Sequence, residues 1–359
     1  MSPRGSAGHP SPNHPVPILG RAEPRVPLES MTSTSRCPVR TLVYRGPARL
    51  ARPGQRIDRM VGMPLPHADT VVTFPAGSVS ERAVVRWVTA ADGRVLVVTD
   101  RTPFHPVDPR RPDQGPDVGR IARGAAVLPV GDCVVGVTDG ASLHVDELPR
   151  VRPGDPGWAF VVVHVIHDDG LPALVEGDEV TLTVDPAHRA GLSAGHTGCH
   201  LAALALNGAL ASRWRKTPRT DGLGNPDFDR SAITSSRIEP YGSVDEYRLG
   251  RSLRKSGFDA AGLRDELDGV TSAIDTQLAG WVASGGSVSV DCSGPRLSDR
   301  REWVCELPEG TARIPCGGTH VHGLDELGSV RVGLTLDQDG QTLTMRTAVV
   351  AGAPFRPGT

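Results

Sequence analysis

In the run GHTGCHLAALAL, His196 and His200 stand four residues apart at the head of a stretch whose apolar residues recur with helical spacing. Both imidazoles therefore project from one helix face, about one turn apart, a geometry that can hold a metal ion. In IPCGGTHVHG, Cys316 and His320 are again four apart, but Gly317-Gly318 and the β-branched Thr319 argue against a helix. The glycines instead allow a turn that brings thiolate and imidazole round to one point. Three imidazoles and a thiolate form a zinc-type donor set, nitrogen and sulfur rather than the oxygens that calcium and magnesium take. The competing reading is three satisfied core histidines and a buried thiol. Cys199 and His322 flank the four, and a regular helix turns Cys199 off the His196/His200 face. Four tight protein ligands would fill a tetrahedral ion, so the residues leave three arrangements open: one loose ligand, a five-coordinate ion, or a zinc that only organises a pocket.

The elements that must position these groups divide the chain in two. From Thr41 to about Val184, short β-type runs alternate with turn residues: TLVY, TVVTF, AVVRWVTA, RVLVVTD, CVVGVTD, WAFVVVHVIH and VTLTV. They predict a small β-barrel-like domain over 37–184. Within it, Asp108 to Gly119 has too many Pro, Asp and Gly residues for a strand and is expected to be a surface loop. Asp185-Pro186 offers an N-cap and a first-turn proline, after which an Ala/Leu-rich helix is expected over roughly Gly195 to Trp214. A second helix is read from Leu263, Leu267, Val270, Ile274, Leu278 and Trp281, stopped by Gly285-Gly286. Strands are expected at Ser287 to Val290 and Glu302 to Glu306, and a hairpin Ser329–Leu336/Gln341–Val349 turning at Asp339-Gly340. The polar, turn-rich stretch Arg219 to Phe258 receives no element. Residues 1–36, rich in Pro, Ser and Gly, read as a disordered tail. The fold class expected is α+β, the barrel-like domain being followed over 185–359 by a two-layer α+β domain that carries the metal site.

Composition excludes several classes. The 359 residues are 38% hydrophobic and 22% charged, which suits a globular body. Lys+Arg 39 against Asp+Glu 41 gives a net charge of −2, so nucleic-acid binding must come from a local patch. Between Arg213 and Lys255 ten basic residues face six acidic ones, a local excess of +4. The six cysteines form no CxxC pair, and a disulfide framework is not expected in a chain of this size. The longest apolar stretch, Trp158 to Ile166, is broken by His164 and falls far short of a membrane span, and no apolar signal core is read at the N-terminus. A soluble, cytoplasmic protein is expected.

The paired motifs HTGCH and CGGTHVHGLDELGSVRV resemble the HxxxH and CxxxH motifs of alanyl-tRNA synthetase editing domains, related to the second additional domain of threonyl- and alanyl-tRNA synthetases. The chain is more similar still to the free-standing, AlaX-like alanyl-tRNA editing proteins, no aminoacylation domain being read in it. Upstream, DRTPFHP at Asp100 to Pro106 is similar to the family's aspartate-arginine-threonine segment, and Gln114, Asp117 and Gly119 fit its glutamine-proline-x-aspartate-x-glycine segment. The chain departs from that pattern at Arg111-Pro112-Asp113, where the family has glycines, and at Gly115, where it has proline. The resemblance implies a Zn²⁺ held by His196, His200, Cys316 and His320, and a hydrolase that deacylates tRNA(Ala) mischarged with serine or glycine in trans. It implies a catalytic group of His196, His200 and Gln114, the last orienting the ester or a water. Two rival readings accompany it: a metal-dependent hydrolase of another aminoacyl or small ester, and a non-catalytic tRNA-binding module with structural zinc.

Overall fold

Six antiparallel strands close on one another in the N-terminal half of the computed structural model, which describes residues 57–58, 65–91, 93–167 and 174–352. They are β1 (Ser80–Ala91), β2 (Arg94–Thr99), β3 (Gly119–Arg123), β4 (Ala126–Thr138), β5 (Ala159–His167) and β6 (Glu179–Val184). The order is β1-β2-β5-β4-β3-β6, and β6 pairs back with β1 to complete a barrel. Each strand sends apolar residues inward, among them Val85, Val97, Ile121, Val130, Val162 and Leu182. A register shift between Val85 and Trp87 lets β1 bury Trp87 on the outer face, where Leu65, Leu143 and Val163 cover it. β5 is thus apolar on both faces, which is why its sequence reads as a continuous run. The run TVVTF yields only a two-residue strand, Val71–Val72, before a 3₁₀ turn at Phe74–Ala76 whose Pro75 has no N–H to extend a ladder. The expected tail 1–36 and the TLVY run lie outside the described residues.

A polar side chain, that of His164, shares the inward face of β5 with Val162. His164 is fully buried; its Nδ1–H donates to the Val97 carbonyl (3.1 Å) and its Nε2 accepts from Thr102 Oγ1 (2.8 Å). Burial lowers its pKa to about 4, against 6.5 for a free imidazole. The unfolded chain therefore takes up this proton below pH 6.5 while the native state refuses it until about pH 4. Stability at this residue is expected to fall by up to about 1.4 kcal/mol per pH unit across that window and to level off below it. Urea titrations at pH 7, 6 and 5 check this: His164→Gln should flatten the slope by up to one proton, whatever its own cost in stability.

At the end of β6, Asp185 accepts from the N–H groups of Ala187 (2.9 Å) and His188 (3.0 Å) and starts α1 (Pro186–Ala209). The helix begins at the N-cap and proline read as its start and runs on through the nine residues before the apolar run reaches Gly195, because Gly191, Gly195 and Gly198 are packing positions rather than breaks. A Cβ on Gly195 would lie 2.2 Å from the Glu239 carbonyl, and one on Gly198 would lie 2.5 Å from Val349. Both contacts are with a four-stranded antiparallel sheet of β7 (Ile233–Glu239), β8 (Gly242–Arg248), β12 (Leu327–Leu336) and β13 (Thr342–Ala351), ordered β7-β8-β13-β12. The stretch read as turn-rich, Arg219 to Phe258, thus contains two strands of this sheet. α2 (Leu263–Ser284) lies beside α1 and buries Val270, Ile274, Leu278 and Trp281 in the same core; it ends at Gly285, φ 63°. A three-stranded sheet of β9 (Val288–Cys292), β10 (Arg301–Leu307) and β11 (Gly310–Pro315) precedes β12 and leads into the Cys316 turn. The structure is mostly β, and a barrel followed by an α+β part is compatible with the expected class. All described residues belong to one compact unit, Tyr44–Thr359. Among the described residues no helix is long and apolar enough to cross a membrane.

Candidate metal centre

With its glycine face pressed on the sheet, α1 turns His196 and His200 toward the chain that leaves β11. There Cys316 and His320 meet them: one ligand atom from each of the four residues lies within 4.8 Å of all the others. Cys316 Sγ stands 3.4 Å from His196 Nε2 and 3.3 Å from His320 Nε2. The imidazole centroids are 4.4 to 5.1 Å apart. His200 Nε2 is buried and has no hydrogen-bond partner. A lone pair or N–H left unpaired in a dry interior is costly. A cation at the centre of the four would satisfy it, and the N₃S donor set suits zinc, so the residues present fit a metal.

The electrostatics favour the same occupant. Burial pushes the pKa of His196 down to about 3 and those of His200 and His320 well below the usual imidazole value. Burial also pushes the Cys316 thiol up to about 12, with the Gly318 N–H opposing. Neutral imidazoles offer lone pairs at every physiological pH, and a thiol so reluctant to ionise alone needs a cation to become a thiolate.

Outer partners fix the orientation of the rings. Gln114, 1% exposed, lies in the loop between Thr102 and β3. Its Oε1 accepts from His196 Nδ1 (2.7 Å) and from the Thr319 N–H (3.0 Å), and its Nε2 donates to Thr319 Oγ1 (3.0 Å). The Nδ1 proton is thereby assigned, which leaves Nε2 of His196 for the metal. His320 Nδ1 lies 3.2 Å from Thr197 Oγ1, which also accepts from the Val321 N–H (3.3 Å). Trp303 stacks obliquely beside the cluster, 5.0 Å from the His200 ring.

The loop that carries Gln114 is less of a surface loop than its composition suggests. It pairs with β7, the Ile238 N–H donating to the Asp113 carbonyl (2.7 Å), and Asp117 is fully buried against Arg189 of α1. Polar residues go inside here because each has a fixed partner. Cys199 points away as the helix spacing requires, its thiol 3.5 Å from Asp245 Oδ1 on β8. His322 is exposed, and its N–H donates to Glu326 Oε1 (2.7 Å). Thr197 and Thr319 are the participants that sequence reasoning missed. Each sits next to a candidate ligand histidine in the two motifs, and that adjacency was the available signal.

No protein-family profile matches the chain. It is similar to curated proteins named alanine–tRNA ligase. That of Mycobacterium leprae is 26% identical over 250 residues, 69% of this chain and 23% of the relative. That of Kocuria rhizophila is 27% identical over 265 residues, 73% and 24%. That of Lactobacillus johnsonii is 25% identical over 246 residues, 68% and 23%. The chain thus spans about a quarter of the length of the curated relatives it matches.

Proposed function

We propose that this chain hydrolyses the ester joining serine or glycine to alanine-specific tRNA, acting in trans and using Zn²⁺ held by His196, His200, Cys316 and His320. The observation that carries the reading is the convergence of those four donor atoms around the partnerless His200 Nε2. Distant similarity to alanine–tRNA ligases over about 70% of the chain supports a tRNA-related editing role. The chemistry gives such an activity a purpose: an alanine-sized synthetic pocket discriminates weakly against one added hydroxyl or one missing methyl, so a second site must remove the errors.

When bound, zinc supplies Lewis acidity toward the ester carbonyl. The chain's own residues do the positioning. Gln114 holds the Nδ1 proton of His196 and ties the Cys316–His320 turn to the barrel loop through Thr319. Thr197 holds His320 in the same manner from α1. Because both ends of the Gln114 amide are engaged, its proposed part is exerted through His196.

A second reading has its own basis. Four protein ligands saturate a tetrahedral ion, as in structural zinc sites, and the chain would then bind tRNA without turnover. One experiment separates the readings: release of amino acid from seryl-, glycyl- and alanyl-tRNA(Ala) by protein of counted zinc content, beside His200→Ala. Trans-editing predicts rapid loss of serine or glycine, alanine spared, and a folded His200→Ala protein at least about a hundredfold slower. A structural zinc predicts no release from any of the three and unfolding of the variant. Cleavage of free aminoacyl esters but not of charged tRNA would point instead to a hydrolase of small esters.

A further inference from the structure

We propose that the face formed by residues 213–216 and the short helix Arg251–Ser256 is an RNA phosphate-binding surface, on which the body of a tRNA rests while its aminoacyl end enters the metal centre. The inference rests on the editing reading above and names where its macromolecular substrate docks.

Only two lysines occur in the chain, Lys216 and Lys255, and the fold brings them together: Lys216 Nζ donates to the Lys255 carbonyl (2.9 Å). The helix RSLRKS contains no acidic residue, anchors itself by the buried Leu253 and leaves Arg251, Arg254 and Lys255 exposed. Arg248, at the end of β8, is exposed just before it. Arg215 completes the face and is tied to Asp259. Among the described residues, no carboxylate lies within ion-pairing distance of Lys216, Arg248, Arg251, Arg254 or Lys255. With Arg213, which is tied to Glu266, seven basic groups gather around two carboxylates in a chain whose net charge is −2.

The face is built rather than floppy. The Arg215 N–H donates to the Gly257 carbonyl (2.9 Å), the Asp259 N–H donates to the Arg213 carbonyl (2.8 Å), and Trp214 packs edgewise on Phe258 at 5.3 Å. Gly257, at φ 114°, passes so close to Lys216 that a Cβ would lie 2.8 Å from its side chain. Its location suits a long polyanion. From His200, α1 runs to Ala209, roughly 14 Å at 1.5 Å per residue, and the chain then enters this face. The patch and the metal centre are thus joined by one rigid helix at a separation that a small ester does not span and a tRNA does. Arginine forks and ammonium groups bind phosphate oxygens. Among the described residues no large exposed apolar side chain belongs to this face, so it lacks the insertion chemistry of a membrane-binding surface.

The test uses the full-length zinc-loaded chain and uncharged tRNA, with binding followed by fluorescence anisotropy between 50 and 200 mM salt. The charge-reversed triple Arg251→Glu/Arg254→Glu/Lys255→Glu is compared with a control triple on exposed barrel arginines, Arg82→Glu/Arg120→Glu/Arg152→Glu. The first triple should weaken binding at least tenfold and make the slope of log affinity against log salt shallower by about two to three, as expected for three lost phosphate contacts. It should also leave zinc content and cleavage of a minimal seryl-adenosine ester unchanged. Wild-type affinity and slope in the first triple, or equal losses in both triples, would overturn the proposal. So would loss of binding to anionic vesicles with tRNA binding intact. Failure of the wild-type chain to cleave either charged tRNA or the minimal ester is a different result, since it removes the editing reading itself.

Discussion

Gly318→Ala is expected to weaken the proposed zinc binding by about ten- to a hundredfold or more, whereas Gly317→Ala leaves it near the wild-type value. A Cβ on Gly318 would stand 2.3 Å from both Cε1 and Nδ1 of His196 and 2.6 Å from Gln114 Oε1. Those atoms have nowhere easy to go, because the His196 ring is buried and Gln114 already accepts from His196 and from Thr319. The added methyl must push the imidazole off the line that points Nε2 at the other three donors. At Gly317 nothing lies within 4 Å of the same added atom. Both changes add one methyl to adjacent glycines, so effects on the unfolded chain are similar and cancel in the comparison. Competition of each protein with a chromophoric chelator at fixed pH reads the affinities. Equal affinities for the two variants would show that His196 does not need its present seat to hold the ion.

The four candidate donors could be paired from the sequence because the arrangement within each pair is mostly local. Two histidines four apart on a helix share a face whatever surrounds them, and a Cys-Gly-Gly turn brings its own ends together. What joins the two halves is tertiary and was not legible: Thr197 and Thr319 look like ordinary motif spacers until their hydroxyls are seen on His320 and Gln114. The barrel strands β1, β2 and β5 could be read from β-branched apolar runs. β7 and β8 could not, and the reason lies in what β8 buries. Its inward residues include Ser243 and Asp245, the latter held by Ser236 (2.6 Å), Ser243 (2.7 Å) and the Cys199 thiol. A buried carboxylate satisfied by hydroxyls leaves no hydrophobic alternation to detect. Asp185-Pro186 marks the start of α1 in the sequence as in the structure, but its continuity from there to Gly195 was obscured, since glycines that permit close packing on the sheet look like helix breakers when the sheet is not in view.

The largest loss of stability is expected at Asp117. This carboxylate is 0% exposed and receives a two-pronged grip from Arg189, Nε to Oδ1 at 2.9 Å and NH2 to Oδ2, together with the His105 N–H on Oδ2 at 2.6 Å. Arg189 is itself buried on the first turn of α1 and also donates to the Pro103 carbonyl (2.7 Å). The pair therefore fastens the barrel loop bearing His105 and Gln114 to the helix bearing His196 and His200. Asp117→Ala leaves a buried guanidinium without its counter-charge and should cost about 3–5 kcal/mol, with Arg189→Met costing a similar amount by stranding the carboxylate. The double variant Asp117→Ala/Arg189→Met should recover part of the loss, since neither charge is then orphaned; recovery is incomplete because the His105 N–H and the Pro103 carbonyl keep no replacement partner. Urea unfolding of the four proteins closes the cycle. Zinc affinity should fall in Asp117→Ala as well, because Gln114, three residues upstream, loses the anchor that aims it at His196. A cost below about 1 kcal/mol for Asp117→Ala would mean that the loop is held by its pairing with β7 instead, and Gln114 would then owe its position to the Asp113–Ile238 hydrogen bond.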